Sequence, residues 1–220
     1  MTEEQKFYFE RKWRTKAELK NIFSESLKLN RLQQTKRLVS GQKNIILDIG
    51  CGAGYLSELL EGKYSKYVGV DILESNVSIA KSIFTKKDVS FSTKNVFSDK
   101  SSFKNKSIDY ILLLELIEHV DNPGEYIRRC RELLKDKGYL IISTPNATSI
   151  TNILWNIKNR KKIISAYAID GTETDHVVAW DIQTLQNLLV RNKFRIINIL
   201  LSKSSIKGGQ SIIVKAQKVD

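Results

Sequence analysis

The amino-acid sequence predicts an α/β domain: a mostly parallel sheet with helices on both faces, closed by an antiparallel hairpin. Three observations predict it. From Asn44 onward, short β-branched or leucine-rich runs alternate with helical stretches, which is the signature of βα units around a parallel sheet. The run Ile108-Asp-Tyr-Ile-Leu-Leu-Leu114 is apolar enough to lie centrally, covered on both faces. The last two β-like runs, 194–200 and 211–215, flank Gly208-Gly209 and read as a hairpin.

Ahead of this core, residues 7–39 place Leu19, Ile22, Phe23, Leu27, Leu29, Leu32 and Leu38 at roughly helical spacing among many charges. One or two amphipathic helices are expected there, so that residues 1–43 form an N-terminal segment, a candidate lid, before the domain at 44–220. The first strand is 44–49, followed by a glycine-rich turn and a helix over 55–61. A second strand spans 66–71, a helix 75–84 and a third strand 89–93. After the central run at 108–114, Pro123 opens a helix through Leu134, in the first turn where its missing N–H does no harm. Gly138 is expected to end that helix, and 139–144 forms a fifth strand closed by Pro145. Residues 146–175 break the rhythm as an insertion containing Trp155 and Tyr167, and long connections of this kind usually serve a site. A helix over 181–191 precedes the hairpin.

Composition sets outer bounds. The 220 residues fit one domain, with 41% hydrophobic and 27% charged residues as in a globular chain, and two prolines leave long disordered tails unexpected. No stretch approaches the roughly 20 apolar residues of a membrane-spanning helix, and the polar start Met1-Thr-Glu-Glu-Gln lacks a secretory core. A cytoplasmic protein without a transmembrane segment is therefore expected. Cys51 and Cys130 read as reduced thiols, since a disulfide at Cys51 would distort the glycine turn around it. The net charge of +12 favours weak association with anionic partners such as nucleic acid, lipid headgroups or acidic sugars, without choosing among them. Lys158, Arg160, Lys161 and Lys162 are the densest basic run and read as a solvated face, because no aromatics alternate with them as in a base-stacking groove.

The turn Asp48-Ile-Gly-Cys-Gly-Ala-Gly54 joins a strand to a helix. Such a turn offers backbone N–H groups to a polar ligand, and Gly50, Gly52 and Gly54 remove the Cβ atoms that would obstruct it. A dinucleotide fingerprint needs a small residue five places after the first glycine; here that place holds Tyr55. A Gly-Lys-Ser/Thr ending is absent as well, so a bulky cofactor without phosphate suits the turn better. Asp71 closes the second strand about 20 residues after the first glycine, where an acid accepts both hydroxyl hydrogens of a ribose.

These residues resemble those of the class I S-adenosylmethionine-dependent methyltransferases. The resemblance runs from Asn44 to Lys215, on the 48–54 turn, Val70-Asp71, Asn95-Val96-Phe97, the run Glu115-Leu-Ile-Glu-His-Val120 and the 138–145 strand. It implies a Rossmann-like seven-stranded, mostly parallel sheet and S-adenosyl-L-methionine as cofactor. It also implies that Asp48, Gly50, Gly52 and Gly54 hold the methionine part, Asp71 the ribose, and Asn95 and Val96 the adenine, with Glu115 bordering the cofactor. Asn95 stands where family members often carry an aspartate. The sulfonium is already an activated methyl donor, so the protein mainly aligns an acceptor and, for a hydroxyl, removes its proton.

Glu115, Glu118 and His119 lie at i, i+3 and i+4, a spacing that shares one face of a helical turn. The other of the two histidines is His176. Glu-x-x-Glu-His with a distant His resembles the metal-binding set of the small-RNA 2′-O-methyltransferases, and the ubiquinone-biosynthesis O-methyltransferases carry a similar arrangement. The resemblance implies a divalent cation (Mn²⁺, Mg²⁺, Fe²⁺ or Zn²⁺) on Glu115, Glu118, His119 and His176, easing loss of the acceptor's proton. The alternative is metal-free: Glu118 and His119 shape the pocket, and His119 or His176 is the general base. The leading expectation is methyl transfer to a hydroxyl of a small-molecule acceptor, quinone-like or a sugar. An RNA 3′-end 2′-hydroxyl is the second, favoured by the quartet and the charge and opposed by the lack of an RNA-binding module. A non-catalytic cofactor-binding subunit or a membrane-surface protein is the third.

Overall fold

A computed structural model describes residues 27–99, 102–149, 178–202 and 211–220. The first part of the expected N-terminal helices, most of the 146–175 insertion with its basic run, His176 and Gly208-Gly209 lie outside the described residues.

The described elements are α1 (Leu27–Leu38), β1 (Asn44–Ile49), α2 (Tyr55–Leu59), β2 (Tyr64–Val70), α3 (Glu74–Ile83) and β3 (Val89–Ser92). They continue with β4 (Ile108–Leu114), a 3-10 turn (Ile117–His119), α4 (Pro123–Leu133), β5 (Leu134–Pro145), α5 (Ile182–Arg191), β6 (Phe194–Ser202) and β7 (Ser211–Lys218). The seven strands lie in the order β3-β2-β1-β4-β5-β7-β6. Strands β3, β2, β1, β4 and β5 are mutually parallel, and β7 runs antiparallel between β5 and β6. The chain winds outward from β1 to β3 and then returns to β4 on the other side of β1. At that reversal the loops leaving β1 and β4 diverge, which opens a crevice at the carboxyl edge of the sheet.

Side-chain alternation along the strands builds a core on each face. On one face Leu47, Ile111, Leu113, Leu140, Ile142 and Val214 pack beneath Ile127 and Leu133 of α4 and Leu185 and Leu189 of α5. On the other Ile46, Tyr67, Tyr110, Leu112, Ile141 and Ile213 pack beneath Leu32 and Leu38 of α1, Leu56 of α2 and Val77 and Ala80 of α3. Helices therefore cover both faces, as expected. Local signals start the helices: Asn122 accepts the Glu125 N–H with Pro123 in the first turn of α4, and Asp181 forms a reciprocal capping box with Thr184 on α5.

One expectation is corrected. Gly138 does not end α4; the helix stops at Leu133, and β5 is already paired at Leu134. Between the pairs Ile108↔Leu134 and Tyr110↔Tyr139 the register shifts, with Lys137 at φ 61°. A Cβ on Gly138 would lie 2.9 Å from the Lys135 carbonyl oxygen. The glycine thus serves a close backbone approach at an irregularity inside the strand. The hairpin strands also run further than expected, to Ser202 and Lys218. Among the described residues no helix is long and apolar enough to cross a membrane.

Candidate functional site

The glycine turn leaves β1 at the reversal point. Gly52 has φ 54° with nothing within 4 Å of where a Cβ would stand, so its outer side is open to a ligand. Gly54 has φ 77°, and a Cβ there would come within 2.6 Å of the Phe91 ring. Both positions require glycine, one for approach from outside and one for packing within. The N–H groups of Gly50 and Cys51 donate to the Val70 carbonyl at 2.8 and 3.0 Å, and that of Gly54 donates to the Cys51 carbonyl at 3.1 Å. The turn is therefore held by its own backbone against the end of β2, more fully than its glycine content alone predicts.

Asp71 follows β2 directly and ties the turn to it. Its Oδ2 accepts the Gly52 N–H at 2.8 Å, and its Oδ1 accepts from the Leu73 N–H at 2.9 Å and Asn76 Nδ2 at 3.3 Å. Beside it Ile72 is 66% exposed, the largest value among the exposed large hydrophobics described, and it offers an apolar surface next to the acid. Asp48, 3% exposed beneath the turn, accepts a hydrogen bond from the Tyr67 hydroxyl. Burial pushes the Asp48 carboxyl up to about 7, the neighbouring Asp71 adds to the rise, and the Tyr67 hydrogen bond opposes it. Burial also pushes the Cys51 thiol up, against any nucleophilic role. Beyond β3, Asn95 is exposed, and its Oδ1 accepts the N–H groups of Phe97 and Ser98 at 2.9 and 3.2 Å. Val96 is 1% exposed and belongs to the core, while its carbonyl accepts from Arg129 Nε.

On the other side of the crevice the helical-face spacing of Glu115, Glu118 and His119 is only partly realised. Only Ile117–His119 form a turn; Glu115 precedes it with a left-handed backbone, φ 54°. Such strain in a non-glycine residue persists where neighbours over-determine it. Here the Glu115 N–H donates to the Ser143 carbonyl, its Oε1 accepts from Ser143 Oγ at 3.0 Å, and its Oε2 pairs with Arg31 Nη1 of α1 at 3.2 Å. Glu118, buried, accepts from Thr144 Oγ1 at 3.0 Å through Oε2, while its Oε1 is buried without a hydrogen-bond partner among the described residues. Burial pushes this carboxyl up to about 8; Glu115 adds to the rise, while hydrogen bonds, including that from Thr144, and the Arg31 charge oppose it. His119 Nε2 lies 4.0 Å from Glu118 Oε1, with about a third of its side chain exposed. The chain returns at Val178, whose N–H donates to the Glu118 carbonyl.

Successive residues of β5 receive the two glutamates, Ser143 bonding to Glu115 and Thr144 to Glu118, and the Glu115 charge still reaches the Glu118 carboxyl. Among the described residues no group of three or more His, Cys, Asp or Glu side chains is arranged to hold a metal ion. Of the four donors expected for a divalent cation, Glu115 is engaged by Arg31 and Ser143, Glu118 by Thr144, and His176 lies outside the described residues. Arg31, Tyr67, Asn76 and the Ser143-Thr144 pair are neighbours that sequence reading did not single out. Only the last left a signal: two hydroxyl residues directly after the apolar run Leu140-Ile-Ile142 of β5.

A family model described as a methyltransferase domain matches residues 20–199. The chain is 31% identical to the ubiquinone biosynthesis O-methyltransferase of Bartonella quintana (strain Toulouse) over 157 residues, 70% of this chain and 61% of that protein. Its namesake from Cereibacter sphaeroides (strain ATCC 17029 / ATH 2.4.9) is 35% identical over 101 residues, covering 46% of this chain and 41% of that one. The chain thus spans 41% to 61% of the length of these two relatives. The structure of magnesium protoporphyrin IX methyltransferase from Synechocystis PCC 6803, with bound S-adenosylhomocysteine, superposes with a TM-score of 0.64 at 18% identity, covering 94% of this chain and 89% of that one. At that identity the likeness concerns the fold. With the family match spanning most of its length, on a sheet of this strand order, the chain belongs to the class I S-adenosylmethionine-dependent methyltransferases.

Proposed function

We propose that this methyltransferase acts on a hydroxyl of a small-molecule acceptor, quinone-like or a sugar. The observation that carries the reading is the 31% identity to a ubiquinone biosynthesis O-methyltransferase across 70% of the chain. The site's geometry supports the division of labour. Gly50, Gly52 and Gly54, with Asp48 beneath them, receive the methionine part. Asp71, whose Oδ2 accepts the Gly52 N–H, receives the ribose hydroxyls. Ile72 and the Asn95-Val96 backbone border the adenine, and Glu115 borders the cofactor from β4. When bound, S-adenosylmethionine supplies a methyl group already activated on sulfonium.

The acceptor side then has two tasks, alignment and proton removal. His119 stands at the carboxyl edge beside the buried Glu118, where it would take the hydroxyl proton as the methyl group passed from sulfonium to the acceptor oxygen, the carbon–sulfur bond breaking to leave a thioether as the carbon–oxygen bond formed; His176 is the second candidate for that proton. Glu118 orients rather than reacts, since Thr144 and burial hold it in place. The Arg31–Glu115 ion pair ties α1 to this side of the site. The reading places the protein in the cytoplasm, with both cysteines free.

Incubation with labelled S-adenosylmethionine and separated metabolite, RNA and lipid fractions, each with and without a chelator, tests this. Label in a hydroxylated metabolite, insensitive to the chelator and lost in His119→Ala, is the expected result. Label confined to RNA 3′ ends would replace the acceptor, and loss on chelation would restore the metal on Glu115, Glu118, His119 and His176. Association with anionic vesicles without any labelled product would favour the membrane-surface reading.

A further inference from the structure

Two carboxyl groups, Asp48 and Asp71, flank the glycine turn, and the fold supplies them unequally. Asp71 accepts from three protein donors, the N–H groups of Gly52 and Leu73 and the amide of Asn76. Asp48, under the turn in β1, accepts the hydroxyl of Tyr67 on Oδ2. Tyr67 is wholly buried in β2, with its ring against those of Tyr64 and Phe91 at centroid distances of 5.5 and 6.1 Å. A phenylalanine would fill the same apolar space. Packing therefore accounts for the ring of Tyr67 and not for its hydroxyl, whose hydrogen is given to an acid of the cofactor cradle.

We propose that Tyr67 is a positioning residue of the cofactor site, holding the Asp48 carboxyl beneath the turn so that Asp48 answers the positive charge of the cofactor's methionine part. This rests on the reading of residues 48–54 as the methionine cradle. Like charges on both sides of one turn repel, so a second carboxylate there is unfavourable while the turn is empty. Burial and Asp71 push Asp48 up to about 7, with the Tyr67 hydrogen bond opposing. The groups facing Asp48 are Tyr67 from β2, Asp71 beyond its end and Cys51 from the turn, and the β4 residue in register is the apolar Leu112. An ammonium and a sulfonium settling over the turn relieve the repulsion. Binding then drives a proton from Asp48 to solvent; no other bond breaks.

Calorimetric titration of the full chain with S-adenosylhomocysteine, which keeps the ammonium, across about pH 5.5 to 9 reads this directly. Affinity is expected to rise with pH by up to about tenfold per unit and to level above the Asp48 transition. Tyr67→Phe is expected to weaken binding by about tenfold near pH 7, to move the rise to higher pH, and to recover near the top of the range. Asp48→Asn flattens the profile. 5′-Methylthioadenosine, which lacks the amino-acid part, binds without the rise. If Tyr67→Phe does not fold, proton release by the wild-type chain near pH 6.5, measured in two buffers of different ionisation enthalpy, decides: no release overturns the proposal. A flat wild-type profile, or a Tyr67→Phe defect equal at every pH, also overturns it while leaving the cofactor reading intact. Absence of binding at any pH brings down the cofactor reading and this proposal together.

Discussion

The two sides of the crevice are built in different ways. On the β1–β2 side the hydrogen bonds that hold the turn come from residues close in sequence: Asp71 reaches Gly52, Leu73 and Asn76, and Gly50 and Cys51 reach Val70. On the β4–β5 side Glu115 and Glu118 depend on Ser143, Thr144 and, for Glu115, on Arg31 from α1. A site made of local bonds forms with its own βαβ unit. A site made of distant partners takes its geometry only when the whole sheet and α1 are assembled.

Four substitutions break or sharpen this contrast, in decreasing order of effect. Gly54→Val places a β-branched side chain at positive φ and against Phe91; a loss of about 4 kcal/mol is expected in urea unfolding, with no cofactor binding left in the partly unfolded chain. A loss below ~1 kcal/mol would show that the turn yields easily.

The acceptor side carries a pH signature. Glu118 is raised from 4.5 to about 8 by burial, with Glu115 adding to it. For an acid raised on folding, the stabilisation is complete below the unfolded pKa and is lost as pH rises through the folded one. Stability should therefore fall between about pH 5 and 8, by roughly 3 kcal/mol from this group. Asp48 adds a fall ending lower, near 7. Glu118→Gln should remove the upper part of the fall and leave the lower; chemical denaturation at pH 5.5, 7 and 8.5 separates them, and an unchanged profile would exclude Glu118 as its source.

Asp71→Ala should weaken S-adenosylhomocysteine by about 30-fold or more, roughly 2 kcal/mol, with unfolding cooperativity intact, because the change lies at the carboxyl edge rather than in the core. Equal binding by this variant would remove Asp71 from the cofactor site. Smallest is Asp181→Ala, which takes the capping box from α5, away from both sides. About 1 kcal/mol of stability should go and the ligand affinity should stay; a change in affinity would mean that the two sides communicate through that helix.

Much of the outcome was readable residue by residue. β1 and β4 coincide with their expected spans, and the other parallel strands and the helices differ mainly at their ends. Hydrophobic periodicity reports burial, and burial is decided by the layer each element occupies. At Gly138 sequence reading failed for a stated reason: a glycine after a helix usually caps it, yet here β5 pairs with Ile108 four residues earlier, and the glycine admits a crowded backbone. Tertiary pairing overrode the local signal.

The candidate site divides likewise. The sequence by itself determined the glycine turn, the acid after β2 and the acidic run after β4, because φ preference, alternation and spacing are local properties. Only the tertiary structure decided that Asp71 bonds the turn, that Tyr67 lies beneath Asp48, and that Glu115 turns to Arg31 while Glu118 turns to Thr144. Those choices depend on which strand lies beside which and on how much water burial removes. Spacing along the chain placed the glutamates on one helical face, and the strand lying beside β4 gave them different partners, Ser143 for Glu115 and Thr144 for Glu118.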